Sequence, residues 1–180
     1  MERCVCNRLY FHVSQAITSL QHGFMRSRSC SSQLLSLLPS IGEALDKNKQ
    51  TDVLCLDFAK VFDAVNHATL IEKLKWYGVT GQLLGWFSDH LLDRSQRVVI
   101  DSKASFRLPV TSGVPQGSLV GPLLFVIFIN DRPDAIHEHT STTLYADDTK
   151  LHCTILAVKD CDILQQDLTS LNTWSHESNF

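Results

Sequence analysis

Residues 142–154, TTLYADDTKLHCT, predict two short strands, 142–146 and 149–154, separated only by the adjacent carboxylates Asp147 and Asp148. A two-residue hairpin turn usually contains glycine or asparagine, because its central residues need positive φ. Two adjacent carboxylates also repel each other unless a cation lies between them. An isolated Asp-Asp pair is most often a solvated turn. Strands on both sides favour a second interpretation, in which the pair lies at the rim of a sheet.

A third carboxylate, Asp57, lies near the end of the apolar segment 52–58, DVLCLDF. The segment is short and does not alternate, which predicts a strand buried on both faces. An unpaired charge there is costly unless it is solvated, protonated or bound to a metal, and a simple turn cap is the alternative. Together, Asp57 and the Asp147–Asp148 pair could supply the oxygen ligands of two Mg²⁺ ions about 3.5–4 Å apart. We therefore expect the carboxylates of Asp57 and Asp147 to converge.

The loop SGVPQGS, 112–118, precedes an apolar segment that predicts a buried helix at 118–130. Its glycines would let the backbone approach a ligand, and the helix N-terminus would offer free N–H groups. An ordinary Gly/Pro connection is the alternative, and by itself the loop favours that alternative.

The remaining periodicity predicts an α+β protein with a probable antiparallel sheet. Helices are predicted at 2–20, 31–48, 67–78 and 82–92, the second capped by Ser31 or Ser32 and interrupted at Pro39 and Gly42. Residues 96–101 and 105–111 predict a hairpin over the turn Ser102-Lys103. A last helix would present one apolar face made of Cys161, Leu164, Leu168, Leu171 and Trp174.

Composition restricts the class of protein without naming a function. With 180 residues, 44% of them apolar, the chain is long enough for one substantial core. Net charge is −3, but residues 1–50 hold six Lys/Arg against three Asp/Glu and the rest ten against sixteen. A basic front and an acidic back would suit phosphate contacts and metal ligands, respectively. Six scattered cysteines favour a reducing, intracellular setting, and the run 119–129 is too short to span a membrane.

Three segments in order resemble motifs A, B and C of reverse transcriptases: LCLDFAKVFDAVNH at 54–67, TSGVPQGSLVGPLLFVIFIND at 111–131 and LYADDTKL at 144–151. The residues of these motifs are most similar to those of the non-LTR retrotransposon (LINE-type) enzymes. QHGFMRSRSCSSQLL, 21–35, also resembles the segment upstream of motif A in that family. The resemblance runs from about residue 15 to the end, and three motifs in this order are very specific.

The resemblance implies a polymerase palm, an antiparallel sheet packed on helices, with partial fingers at residues 1–50 and the palm at 51–180. It implies an RNA-directed DNA polymerase that uses Mg²⁺, with Mn²⁺ as a substitute. The implied catalytic and metal-binding residues are Asp57, Asp147 and Asp148. The implied substrate-binding residues are Phe62, which would crowd the sugar 2′ position, Gln116 and Gly117, which would line the nucleotide and template pocket, and Tyr145, near the primer strand.

The resemblance also sets the alternatives. We expect a fragment without the paired fingers strands, the lysine of motif D or the thumb. The implied partners are an RNA template, a DNA primer and deoxynucleoside triphosphates, with no membrane. A catalytically silent remnant that binds nucleic acid or protein weakly is the second hypothesis. A maturase- or telomerase-type polymerase is the third hypothesis, and the non-LTR-like residues of motifs A and B argue against it. Nuclear localisation stays open, since the family acts at chromosomal DNA.

Overall fold

The computed structural model describes residues 1–178 and shows seven α-helices, seven strands and one short 3₁₀ helix in that part of the chain. The helices are α1 (Glu2–Val13), α2 (Cys30–Asp46), α3 (Val61–Ala64), α4 (His67–Trp76), α5 (Gly81–Leu91), α6 (Gly121–Ile129) and α7 (Val158–Glu177). The strands are β1 (Gln50–Leu56), β2 (Ser95–Gln96), β3 (Val99–Ile100), β4 (Lys103–Ala104), β5 (Leu108–Pro109), β6 (Ser141–Tyr145) and β7 (Asp148–Ile155). The 3₁₀ helix, Arg132–Ala135, joins α6 to the strand β6.

The main sheet is antiparallel and has the order β1-β7-β6, so β7 is its central strand. Because side chains alternate along a strand, Leu151 and Cys153 face α7, whereas Lys150 and His152 contact α2 on the other side. The predicted α+β architecture, with an antiparallel sheet packed on helices, is confirmed.

The prediction that residues 52–58 form a strand buried on both faces is wrong. The strand β1 lies at the edge of the sheet and contains no fully buried residue. Leu54 and Leu56 pack partly against the α7 side, while Val53 on the opposite face is 41% exposed. An edge strand has only one neighbour, so an apolar sequence alone does not ensure burial.

The centre of the larger core is α6, as its apolar sequence predicts. All residues from Leu123 to Ile129 are buried, and most are fully inaccessible. Around it pack buried side chains from three other helices: Leu9 and Val13, Leu70 and Leu74, and Phe87 and Leu91. A helix that is apolar on every side is stable only when other elements surround it.

Helix α2 differs from its prediction at both its start and its middle. Ser29, rather than Ser31 or Ser32, is the N-cap, and Ser29 and Ser32 form a reciprocal capping box. The helix also continues through Pro39 without interruption. Proline removes one helical hydrogen bond, but Leu35, whose carbonyl loses its donor, is 73% exposed and can be solvated.

A hairpin forms between α5 and the 112–118 loop, as predicted, but its turn is shifted by one residue. The strands β3 and β4 pair across Asp101 and Ser102, which both have positive φ, rather than across Ser102 and Lys103. Polar residues such as aspartate tolerate this conformation through local hydrogen bonds. All residues from 92 to 109 are exposed, so the hairpin projects from the body of the protein.

Helix α1 ends at Val13 instead of continuing to residue 20.

Among residues 1–178, none of the helices has the length and apolar character needed to cross a bilayer.

We predict that Leu124→Ala lowers the free energy of unfolding by about 2–5 kcal/mol, because Leu124 is fully buried in α6 and its truncation leaves a cavity. Urea unfolding followed by circular dichroism measures the change. The matched control is Leu35→Ala, whose side chain is exposed, with an expected change within about 0.5 kcal/mol. Equal losses in the two variants would contradict the central position of α6.

Candidate active site

The three predicted carboxylates lie at one end of the main sheet: Asp57 follows β1, Asp147 lies in the turn between β6 and β7, and Asp148 begins β7. Register pairs Leu56 of β1 with Thr149 of β7, so Asp57 follows β1 at the end where Asp148 begins β7. Asp57 and Asp148 are exposed, and Asp147 is half-buried. The charge of Asp57 is therefore not held in the interior, and all three side chains lie where solvent or a cation can reach them.

The turn that carries the carboxylates is shifted from its predicted position. Tyr145 pairs with Asp148, which makes Ala146 and Asp147, not Asp147 and Asp148, the two central residues. Ala146 has φ 54°, a conformation that glycine adopts far more readily. Asp148 is therefore the first residue of a strand, and the aspartates occupy two different backbone environments.

Gln21 fixes the unusual conformation of Ala146. Its side-chain amide donates to the Ala146 carbonyl at 3.2 Å, and its Oε1 accepts from the Ala146 N–H at 2.8 Å. The same oxygen accepts from the Gly23 N–H at 2.7 Å, and Gln21 is only 1% exposed. Both backbone groups of the strained residue are thus satisfied by one buried side chain.

The chain segment around Gln21 lies along β6 as a short parallel bridge. The His22 N–H donates to the Leu144 carbonyl at 2.8 Å, and the Leu144 N–H donates to the Leu20 carbonyl at 2.9 Å. A Cβ on Gly23 would lie 2.2 Å from the Ala146 nitrogen, so only glycine fits there. Sequence analysis assigned no site role to Gln21 or Gly23, and no local periodicity indicates a contact across 125 positions.

The 112–118 loop is bonded to the segment that follows Asp57. The Gly113 N–H donates to the Val65 carbonyl at 2.8 Å, and the Val114 N–H donates to the Phe62 carbonyl at 2.9 Å. Gly113 has φ 91°, and a Cβ there would lie 2.9 Å from the Asp63 Cα. A glycine is required at this point because two backbones approach closely. The loop is therefore more than a simple strand-to-helix connection.

Three of the predicted substrate-binding residues line one cavity of about 320 Å³: Phe62, Gln116 and Gly117. Phe62 stacks on Phe125 with ring centroids 4.3 Å apart and meets the edge of Phe24 at 5.9 Å. Gln116 donates from Nε2 to Asp63 Oδ1 at 2.9 Å. Aromatic packing and this hydrogen bond hold two walls of the cavity in place.

A second cavity, of about 640 Å³, is also lined by Gln116. Lys60 and Arg94 contribute positive charge to its lining, and Asp63 contributes a carboxylate. Two cations beside a backbone loop are suited to a phosphate group. Sequence analysis did not single out Lys60 or Arg94.

Tyr145 lines neither of these two cavities. It is the last residue of β6, next to the turn, and a hydrogen bond with the Cys30 side chain raises the pKa of its phenol. The structure thus brings Phe62, Gln116 and Gly117 together, brings the ends of the carboxylate-bearing strands together, and leaves Tyr145 on the α2 side of the turn.

The carboxylates of Asp57, Asp147 and Asp148 fit a magnesium site that water and substrate complete, but not a site made of protein ligands alone. Across residues 1–178, no three His, Cys, Asp or Glu side chains are grouped closely enough to hold a metal ion. Magnesium commonly uses only one or two carboxylates together with water and substrate phosphates, rather than a cage of protein ligands. Exposed carboxylates on adjacent strand ends meet that requirement, whereas a structural metal with four protein ligands does not fit.

Comparison with protein families identifies a match over the whole chain. The family model described as "Reverse transcriptase (RNA-dependent DNA polymerase)" matches residues 1–180. The RNA-directed DNA polymerase from mobile element jockey of Drosophila melanogaster is 31% identical over 190 residues, covering 99% of this chain. Its counterpart from Drosophila funebris is 30% identical over 191 residues, with the same coverage. The chain spans 20% of the length of each of these relatives.

A solved structure supports the fold. Apo telomerase from Candida tropicalis, truncated from its C-terminal domain, matches with a TM-score of 0.66 over 99% of this chain and 38% of that chain. Sequence identity is 11%, so this likeness concerns the fold alone. It agrees with a palm-like α+β arrangement.

We predict that Gln21→Leu lowers the free energy of unfolding by about 1–3 kcal/mol for each Ala146 backbone group left without a partner. Gln33→Leu is the matched control, because Gln33 is also buried but its side chain bonds to no backbone group: its Oε1 accepts only from the Lys150 ammonium at 3.2 Å, and its Nε2 lacks a partner among the described residues. Urea unfolding of both variants measures the difference. A cost for Gln33→Leu as large as that for Gln21→Leu would refute the specific role of Gln21.

Proposed function

The chain belongs to the reverse transcriptase family, and we propose that it carries the carboxylate site of an RNA-directed DNA polymerase that performs two-metal nucleotidyl transfer. The observation that carries the proposal is the strand register, which supports placing Asp57 beside the Asp147–Asp148 turn at one end of the sheet. The names of the relatives describe them as RNA-directed DNA polymerases, and that activity is our proposal for this chain.

Asp57, Asp147 and Asp148 would hold the divalent cations. Family membership implies divalent-metal dependence in general, and Mg²⁺ at these three residues, with Mn²⁺ as a substitute, is our specific assignment. When bound, the cation supplies Lewis-acid stabilisation of phosphoryl oxygens and acidifies the attacking hydroxyl. The chain's part is to keep the carboxylates on adjacent, hydrogen-bonded strand ends, where their oxygens stay exposed.

The substrates are proposed from the cavities beside the carboxylates. Phe62, held between Phe125 and Phe24, would exclude a 2′-hydroxyl and so favour deoxynucleoside triphosphates. Gln116 and Gly117 would contact the nucleotide and template in the cavity they share with Phe62. Tyr145, next to the turn, would contact the primer strand.

Phosphates of the incoming nucleotide or of the nucleic-acid backbone would bind near Lys60 and Arg94, which line the adjoining cavity. An RNA template and a DNA primer complete the proposed set of partners. In domain terms we propose that residues 1–50 are partial fingers and 51–180 the palm.

A second candidate function is a catalytically silent remnant. The observation that favours it is that no group of three possible metal ligands is preassembled within residues 1–178. The two functions differ in whether this chain binds Mn²⁺ through Asp147 and extends a primer.

We predict that Asp147→Asn weakens Mn²⁺ binding by more than roughly tenfold. Loss of a residue that only supports a metal ligand already lowers metal affinity by about tenfold or more, and loss of a ligand itself should cost at least as much. It should also abolish extension of a DNA primer on an RNA template by this chain. Asp101→Asn is the matched control, because Asp101 also lies in a two-residue hairpin turn, that between β3 and β4, but outside the carboxylate motifs. Isothermal calorimetry measures binding, and primer extension measures activity.

Loss of both properties in Asp147→Asn alone supports the polymerase. Mn²⁺ binding that depends on Asp147, without extension by the wild-type chain, favours the silent remnant. Equal Mn²⁺ affinity for the wild type, Asp147→Asn and Asp101→Asn would overturn the site assignment.

We further predict that Phe62→Val raises incorporation of ribonucleotides relative to deoxyribonucleotides by roughly tenfold or more, because the smaller side chain opens the cavity beside Gly117. Primer extension with each nucleotide type measures the ratio. Phe106→Val, at an aromatic that is 94% exposed on the hairpin, should leave the ratio unchanged. An unchanged ratio in Phe62→Val would remove the proposed role of Phe62 in sugar selection.

A further inference from the structure

Arg132 is a fully buried arginine in the short 3₁₀ helix that leads from α6 to β6. Its exposed fraction is 0%, and it is among the largest buried side chains of residues 1–178. Burying a guanidinium is costly unless hydrogen bonds or opposite charges compensate for lost hydration. An arginine in this position therefore calls for a specific explanation.

The Arg132 guanidinium contacts both strand ends that carry the carboxylates. Its NH1 donates to the Asp147 carbonyl and to the Thr149 Oγ1, each at 2.8 Å. These acceptors lie on either side of Asp148. Its central carbon also lies 4.7 Å from the ring centroid of Phe58, the residue that follows Asp57. One side chain thus joins the turn to the end of β1.

The carboxylates near Arg132, those of Asp147 and Asp131, favour its charge without forming a direct ion pair with it among the described residues. Arg132 forms no ion pair with a carboxylate of residues 1–178, and its Nε and NH2 have no hydrogen-bond partner there. Burial lowers the pKa of Arg132 to about 10, although the charges of Asp147 and Asp131 oppose that shift. The group is therefore still charged at neutral pH, held by aromatic faces, including Trp174 at 5.0 Å, and by the turn.

A methionine of similar volume would fill the same space without desolvating a charge, and buried ionic groups can often be replaced in this way without loss of stability. What methionine cannot do is donate to the Asp147 carbonyl and the Thr149 hydroxyl. The hydrogen bonds to the turn, rather than the filling of the core, distinguish arginine at this position.

We propose that Arg132 is a positioning residue that fixes the backbone on both sides of Asp148, and the end of β1 before Phe58, so that the three carboxylates face a common cation. The proposal rests on the proposed function for its metal-binding consequence. Its structural part, the immobilised turn, stands independently and is testable without metal.

The experiment compares Arg132→Met with the wild-type chain in two measurements. In metal-free protein, amide hydrogen exchange at residues 147–149 should accelerate by roughly five- to tenfold, as expected for the loss of hydrogen bonds to the turn. Exchange at 151–153, farther along β7, should stay unchanged. In the second measurement, the Mn²⁺ dissociation constant should rise by roughly tenfold.

Whether Arg132→Met weakens or tightens Mn²⁺ binding distinguishes a positioning role of Arg132 from a purely electrostatic one. If Arg132 acted only through its charge, removing a positive group near the carboxylates would tighten cation binding. Arg132→Lys, which retains the charge and can still donate, should restore part of the affinity and part of the exchange protection.

Lys73→Met is the matched control. Lys73 is a second cation near Trp174, at 6.0 Å, but it bonds to Asp131 and the Phe128 carbonyl rather than to the turn. The Lys73→Met variant should leave the amide exchange of residues 147–149 unchanged and should not weaken Mn²⁺ binding. If Arg132→Met does not fold, Thr149→Val removes one acceptor while preserving shape, and should produce a smaller change in the same direction.

Wild-type exchange at residues 147–149 in the folded Arg132→Met chain would overturn the proposal, as would tighter Mn²⁺ binding. Should the wild-type chain bind no Mn²⁺, the proposed metal site fails, and the exchange measurement alone decides whether Arg132 immobilises the turn.

Discussion

The conformation of Ala146 is the constraint on which the site depends. Positive φ at a residue with a side chain costs on the order of 1–3 kcal/mol, and surrounding contacts must hold it in place. Gln21 bonds to both backbone groups of Ala146, and Arg132 bonds to the carbonyl of the next residue. The turn is therefore held by two buried side chains, one of which lies 125 positions away along the chain and the other 15. With the turn fixed, Asp147 lies half-buried within it and Asp148 begins the central strand.

The cavities beside the carboxylates depend on a second, separate junction. The loop through Gly113 and Val114 is bonded to the backbone between Phe62 and Val65, so the segment after Asp57 and the loop before α6 form one unit. The buried helix α6 anchors that unit, because Phe125 from its centre stacks under Phe62. The proposed role of Phe62 in substrate selection would thus be supported by the core itself, which is more rigid than a free loop.

Local patterns predicted the kinds of elements well and their connections less well. Periodicity identified α4, α5, α6, β6 and β7 because each has a clear apolar pattern, and the predicted antiparallel α+β fold follows from them. The turn was misplaced by one residue because register depends on pairing with Tyr145, which no composition reveals. The exposed face of β1 was missed because burial depends on the neighbouring elements. Gln21 and Arg132 were missed because local periodicity does not reveal contacts with residues 125 and 15 positions away.

Eight non-glycine residues of the described chain have positive φ, and two departures from local preference meet at the carboxylate turn. Ala146 occupies a glycine-like conformation, and Arg132 is a buried charge without a carboxylate partner among the described residues. Elsewhere in the described chain, positive φ falls mostly on polar or charged residues, and Phe24 is the other apolar residue with this conformation; the polar and charged ones are Ser27, Asn48, Lys60, Asp93, Asp101 and Ser102. Glycine at 146 and a neutral apolar residue at 132 would relieve both costs if the turn had no role. A strained residue and a buried charge that meet at one turn are typical of a functional site, and they support the proposed carboxylate site.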